Sequence, residues 1–245
     1  MRTSNPSLNS KTFEQAAPGA GVMTIGGTVN KVGILLVLML VPASYMFSKV
    51  LTNWDPNAAM GTAVMGAIGA LIFALITVFK KTWAPVTAPI YAVLEGLFLG
   101  GISGVFEARF PGIALQAIAL TIGTLFTLLL AYRSGLIRAT ENFKLGIVAA
   151  TGGIFLFYMA SIVLGFFGVQ MPLIHSNGTF GILFTLFVVV IAALNLVLDF
   201  DFIEQGAEMG APKYMEWYAA FGLMVTLVWL YLEILRLLAK LQSRD

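Results

Sequence analysis

The sequence predicts an all-α integral membrane bundle of seven transmembrane helices, and three observations carry that prediction. First, 59% of the 245 residues are hydrophobic and only 11% are charged. A soluble domain carries about 25% charged residues, so this chain cannot coat a water-facing globule of its size. Mean hydropathy is +0.91. Second, seven stretches approach the roughly 20 apolar residues that a helix needs to cross a ~30 Å hydrocarbon core. Third, the apolar runs are continuous rather than alternating, which favours helices over a barrel.

The spans fall near 32–51, 60–79, 84–106, 112–132, 146–167, 180–203 and 215–239. The first follows a polar segment and ends before Trp54-Asp55-Pro56-Asn57, which is turn chemistry. The second stops at the Lys80-Lys81 pair. The third carries Gly96, Gly100 and Gly104 every four residues on one stripe, where small residues let a neighbouring backbone come close. The fourth contains the run Leu125–Ala131 and the sixth the run Leu183–Leu194. The fifth is followed by a loop holding His175, the only histidine, read as solvated. The seventh ends in a basic tail, so it either crosses fully or re-enters from the starting side.

Residues 1–30 hold Ser, Asn, Thr, Gly and two prolines, with few large apolar groups. They read as a flexible tail before one seven-helix domain over 31–245. The tail is too long and polar for the start of an ordinary signal peptide, so the first span is expected to be retained. Nine of the 14 Lys and Arg, among them Lys31, Lys80, Lys81 and Lys213, fall on the side of the amino terminus. That asymmetry predicts a cytoplasmic amino terminus in a cell (inner) membrane. The net charge of +2 is too small and scattered to suggest nucleic acid as a partner. The absence of cysteine excludes disulfides and thiol catalysis. Asn177-Gly178-Thr179 matches a glycosylation sequon, a common pattern. No phosphate-binding loop, HExxH or nucleophile elbow is found, so the chain is not expected to be an enzyme or to need a cofactor.

Charges at membrane depth carry more information, because each costs at least ~2.5–3.5 kcal/mol at a helix centre. They are Glu95 on the third span, Asp199 and Asp201 on the sixth, and Glu233 and Arg236 on the seventh. An acid-rich interior suits cations or protons. Glu95 lies about 14 residues, roughly 21 Å, from the Lys80-Lys81 loop. Asp199 and Asp201 face opposite ways, about 200° apart. Asp199 shares a stripe with Asn195 and Ala192, small and polar, which faces protein or water. Asp201 shares one with Glu204 and Glu208, a solvated edge. Glu233 has two readings: an intrahelical pair with Arg236 three residues on, or a partner for the sixth-span acid. Two adjoining carboxyls cannot both ionise cheaply, so such a pair shares one proton near neutral pH. Ionised, Asp199 and Glu233 would form a transient calcium site.

The stretches Asn195-Leu-Val-Leu-Asp199-Phe-Asp201-Phe-Ile-Glu204-Gln-Gly206, Gly210-Ala-Pro-Lys213-Tyr-Met-Glu216-Trp217-Tyr218 and Leu230-Tyr-Leu-Glu233-Ile-Leu-Arg236 resemble the Bax-inhibitor (TMBIM) family, most closely a bacterial branch. Tyr91-Ala-Val-Leu-Glu95-Gly-Leu-Phe-Leu-Gly100 adds to the resemblance, which covers about 30–240. It implies seven helices with the last one central, and a pH-sensitive calcium leak. It also implies a sensor made of one acid on the sixth helix, mapping to Asp199 or Asp201, and one on the seventh, mapping to Glu233. A basic residue that relatives place on the second helix has no counterpart in the second span here. The chain is therefore expected to be a proton-gated cation leak channel or transporter whose path Glu95 lines or seals. The competing expectation is a non-conducting regulator that binds a membrane protease or chaperone. The seventh span must begin near 219, or tilt, for Glu233 to reach Asp199, leaving 207–218 as an interfacial segment.

Overall fold

A backbone in hydrocarbon has no water to satisfy its amides, so each apolar stretch closes its hydrogen bonds within a helix. The computed structural model describes residues 21–53, 56–168 and 178–243. It contains seven long helices: α1 Ile25–Asn53, α2 Pro56–Phe79, α3 Ala84–Arg109, α4 Ile113–Arg133, α5 Glu141–Phe166, α6 Thr179–Glu208 and α7 Met215–Gln242. All seven are long and apolar enough to cross a membrane. A 3-10 turn, Lys81–Trp83, leads into α3. The expected loop residues Trp54, Asp55, His175 and Asn177, and the tail over 1–20, lie outside the described residues.

Two expectations are corrected. α1 begins at Ile25, inside the segment read as tail. Val22 forms an antiparallel bridge with Pro212, and the Met23 amide donates to the Ala211 carbonyl at 2.7 Å. Polar Gly26-Gly27-Thr28 concealed this helical turn from a reading based on hydropathy. Between the last two helices, α6 continues to Glu208 and α7 starts at Met215, as the marked span has it, so the later start near 219 that an Asp199–Glu233 pair required is not taken. Residues 207–218 are thus mostly helical ends. Because α7 runs unbroken for 28 residues, the re-entrant alternative falls. More than half of α7's apolar stretch is buried, the largest share among the seven spans.

Contacts sort the chain into two units that interleave in sequence, with α3, α6 and α7 contributing to both. The first unit contains Met1–Ile102 and Asp201–Met224. Here the glycine stripe of α3 packs against α1. A Cβ on Gly96 would lie inside contact distance of the Met39 carbonyl and 2.7 Å from Pro42 Cγ. One on Gly100 would lie 2.7 Å from Ala43 Cα. Tyr91 meets Phe221 edge-on, with ring centroids 5.0 Å apart. At the start of α7, the fully buried carboxylate of Glu216 holds the residues that lead into α1. Its Oε1 accepts from the Thr24 amide (3.0 Å), the Thr24 hydroxyl (3.0 Å) and Lys213 (2.7 Å), and Lys31 lies 3.3 Å from Oε2. Gly27 is where Glu216 approaches closest, and any side chain there would collide with the carboxylate.

The second unit contains Ser103–Phe200 and Val225–Asp245. Its apolar centre is Ile147, Ile154, Val188 and Ile191, with Tyr158, Phe184 and Trp229 against it. The carboxylate of Glu107 accepts from the amides of Gly112 (2.6 Å) and Ala114 (3.0 Å), satisfying the first turn of α4, while Gly112 takes a left-handed φ of 87°. Thr140 caps α5 by accepting from the Phe143 amide. Ser103 and Tyr231 share a hydrogen bond at 2.6 Å.

Gly100→Ala should lower stability by about 1–3 kcal/mol, since the added methyl meets backbone that cannot swing away. Gly33→Ala on α1, with open space at its Cβ, should be neutral or slightly stabilising. Thermal unfolding in detergent compares the two. Glu216→Gln leaves two ammonium groups without their counter-charge, and because both lysines reach water it should cost about 1–2 kcal/mol. Amide exchange at Thr24, whose N–H that carboxylate accepts, should quicken in the same variant.

Candidate functional site

Within the second unit, α6 and α7 run antiparallel and set polar groups level by level. Along α7, Thr226, Glu233 and Lys240 recur every seven residues, close to two helical turns, and so form one column. The interval from Thr226 to Lys240 is 14 residues, about 21 Å. On α6, Asp199 and Thr185 are also 14 residues apart. The two intervals match because each end is bonded across. The Asp199 side chain is hydrogen-bonded to Thr226 at one end. Lys240 Nζ donates to Thr185 Oγ1 (3.0 Å) and to the Gly181 carbonyl (3.2 Å) at the other.

This register explains a further correction. No hydrogen bond joins Asp199 to Glu233, so the direct carboxyl–carboxyl contact expected of a shared proton is not made. Glu233 lies seven residues beyond Thr226, about 10 Å along the axis. The corresponding level of α6 is Ala192, fully buried and too small to answer a carboxylate. Glu233, only 2% exposed, instead lies in a closed triangle. Its Oε1 accepts from Tyr158 Oη at 3.0 Å and from Arg236 Nη1 at 2.9 Å, its Oε2 accepts from the same Nη1 at 3.0 Å, and Arg236 Nη1 donates to Tyr158 Oη at 2.9 Å. The guanidinium also lies over the Tyr158 ring, 5.5 Å from its centroid. The intrahelical reading of Glu233 with Arg236 is the one realised, and the tyrosine of α5 completes it.

Asp199 is left in an unusual position. Its Oδ2 is buried and has no hydrogen-bond partner. One turn earlier on the same stripe, Asn195 Nδ2 donates to Thr151 Oγ1 on α5 and to the Ile191 carbonyl, each at 2.8 Å. Asn195 therefore ties α6 to α5 beside the aspartate.

The other two acids lie in the first unit. Asp201 is half-buried and accepts from Gln205 Nε2 at 2.6 Å along its own helix, with Glu204 and Glu208 exposed. Glu95 is 8% exposed, one turn beyond Tyr91. The neighbouring-helix hydrogen bond that would explain a buried acid is absent for it among the described residues. No group of three or more acids or histidines converges on a metal-sized space among the described residues. A cation here would meet single carboxylates in succession, not a cage.

Sequence reasoning missed three participants. Tyr158 is one of seven tyrosines, and nothing local marks it. Lys240 was assigned to the basic tail, although the seven-residue spacing from Glu233 was available. Glu216 carried a visible cue, a lysine three residues before it.

Seven membrane-length helices that carry buried acids and bases define a multi-pass all-α membrane protein. The chain matches the family described as Bax inhibitor 1 like over residues 5–243, and it belongs to that family. Neither a curated protein nor a solved structure gives a significant match.

Arg236→Met should strip the buried Glu233 carboxylate of its cation. Removing one partner of a buried pair costs about 3–5 kcal/mol, and the 39% exposure of the arginine side chain reduces this to about 2–3. Glu233→Gln in the same background should recover most of the loss. A double-mutant cycle on unfolding midpoints measures the coupling.

Proposed function

We propose that the protein is a pH-sensitive cation leak channel or transporter, with calcium as its substrate. We place it in the cell's inner membrane with its amino terminus in the cytoplasm, the side favoured by its lysines and arginines. Conduction of this kind requires no cofactor and no enzymatic step.

The observation that carries the reading is the buried, unpartnered Oδ2 of Asp199 at the head of the α6–α7 polar column. With its proton, Asp199 is neutral and draws no cation. Without it, a charge stands in a poorly solvated site with one hydroxyl for company, an expensive state unless a cation supplies the missing partner. Rising pH therefore favours cation occupancy, and falling pH opposes it. Glu233 is the next carboxylate along the column. It becomes available to a cation only when Arg236 releases it, so the Tyr158–Glu233–Arg236 triangle keeps the column closed. Asp201, bonded along its own helix, is the weaker sensor candidate.

Calcium flux into proteoliposomes, followed across pH 6–8, tests this reading. Wild-type flux should rise with pH. Asp199→Asn should flatten the profile and lower the flux at pH 8 by about tenfold or more, since a counter-charge worth ~2.5 kcal/mol is lost. Glu233→Gln should lower flux at every pH. Unchanged flux and unchanged pH response in both variants would overturn the reading. Folded protein with no flux at any pH would favour the regulator that binds a membrane protease or chaperone.

A further inference from the structure

Lys240 is the least expected charge in the molecule. It lies two residues from the end of α7, yet it is 6% exposed. Buried ammonium groups normally sit on a carboxylate. This one has none among the described residues. Its two hydrogen bonds go to neutral oxygens, the Gly181 carbonyl and the Thr185 hydroxyl, both buried in the first turns of α6. Its charged neighbours on α7 are Arg236, one turn back, and Glu233, already neutralised by that arginine. Among the described residues, nothing at this end attracts the ammonium by net negative charge. What holds it is a pair of oxygen ligands of the kind that coordinates hard cations.

We propose that the Gly181 carbonyl and the Thr185 hydroxyl form a cation-binding site at the end of the column opposite Asp199, and that Lys240 occupies it as a tethered cation that shuts the path. The inference rests on the conduction reading above and adds how that path is held closed. The site lies 14 residues, about 21 Å, from Asp199 along α6, so the column has an acid at one end and a fixed positive charge at the other. A permeating cation entering from the Asp199 end meets repulsion from Arg236 and Lys240 before it can leave. The lysine stem has four methylene groups, long enough to carry the ammonium out of its seat without unwinding α7. When it swings out, the two oxygens and water take the passing cation.

The test compares calcium flux through proteoliposomes holding wild type, Lys240→Met, Lys240→Arg and Thr185→Val, each first checked for a monodisperse size-exclusion peak. Lys240→Met should raise the initial flux severalfold, most visibly at low pH where the wild type is nearly closed. Lys240→Arg, which restores the charge, should bring it part of the way back. Thr185→Val keeps the side-chain shape and removes one ligand of the ammonium, and it should give a smaller rise. It carries the test alone if Lys240→Met does not fold. Flux at the wild-type level in folded Lys240→Met, or in Thr185→Val where only that variant folds, overturns the proposal while leaving the conduction reading standing. Absence of flux in every variant at every pH overturns both.

Discussion

The structure depends on the cost of a polar group that hydrocarbon surrounds. Water cannot repair a misplaced donor or acceptor at that depth, so each one must find its answer on a neighbouring helix or remain an exception. Most find one. Asn195 reaches Thr151, Ser103 meets Tyr231, and Thr77 meets Thr87 at 2.7 Å. Glu233 takes both a phenol and a guanidinium. These bonds specify register where apolar packing cannot, since one leucine against lipid resembles another. Among the exceptions, Asp199 with its bare oxygen and Lys240 with its neutral ligands are the places where chemistry beyond stability is to be sought.

The two units solve the association problem differently. In the first, α3 presents glycines, and close backbone approach to α1 replaces the hydrophobic driving force that lipid removes. A buried ion cluster on Glu216 then ties the segment before α1 to the start of α7. In the second, an aliphatic centre of Ile147, Ile154, Val188 and Ile191 coexists with the polar column of α6 and α7. The first arrangement tolerates little added volume. The second tolerates little change of polarity.

Span positions were legible because twenty-residue apolar runs leave no competing interpretation, and the observed helices extend the expected ones by only a few residues at most ends. The start of α1 was not legible. Gly26 and Gly27 depress hydropathy, and the reason for Gly27 is a carboxylate almost 190 residues later in the chain. The acids at mid-membrane depth were all visible in the sequence, but of their partners only Arg236 was, as one of two readings for Glu233. A carboxyl at position 233 is equally compatible with an acid on α6 and an arginine three residues on. What decides between them is the vertical offset of two helices, set by where their connecting turn ends. Tyr158 was beyond reach for the same reason, because its role exists only once α5 lies beside α7.

The equal spacing of partners on α6 and α7 limits how this pair can move. If one rod slid along the other by a single turn, the Asp199–Thr226 and Lys240–Thr185 bonds at the two ends of the column would be lost together. Large-scale piston motion is thereby penalised, while rotation of a long basic side chain about its own bonds disturbs only one rung. In the proposed path, the part free to move is then the tip of a side chain rather than the shaft of a helix.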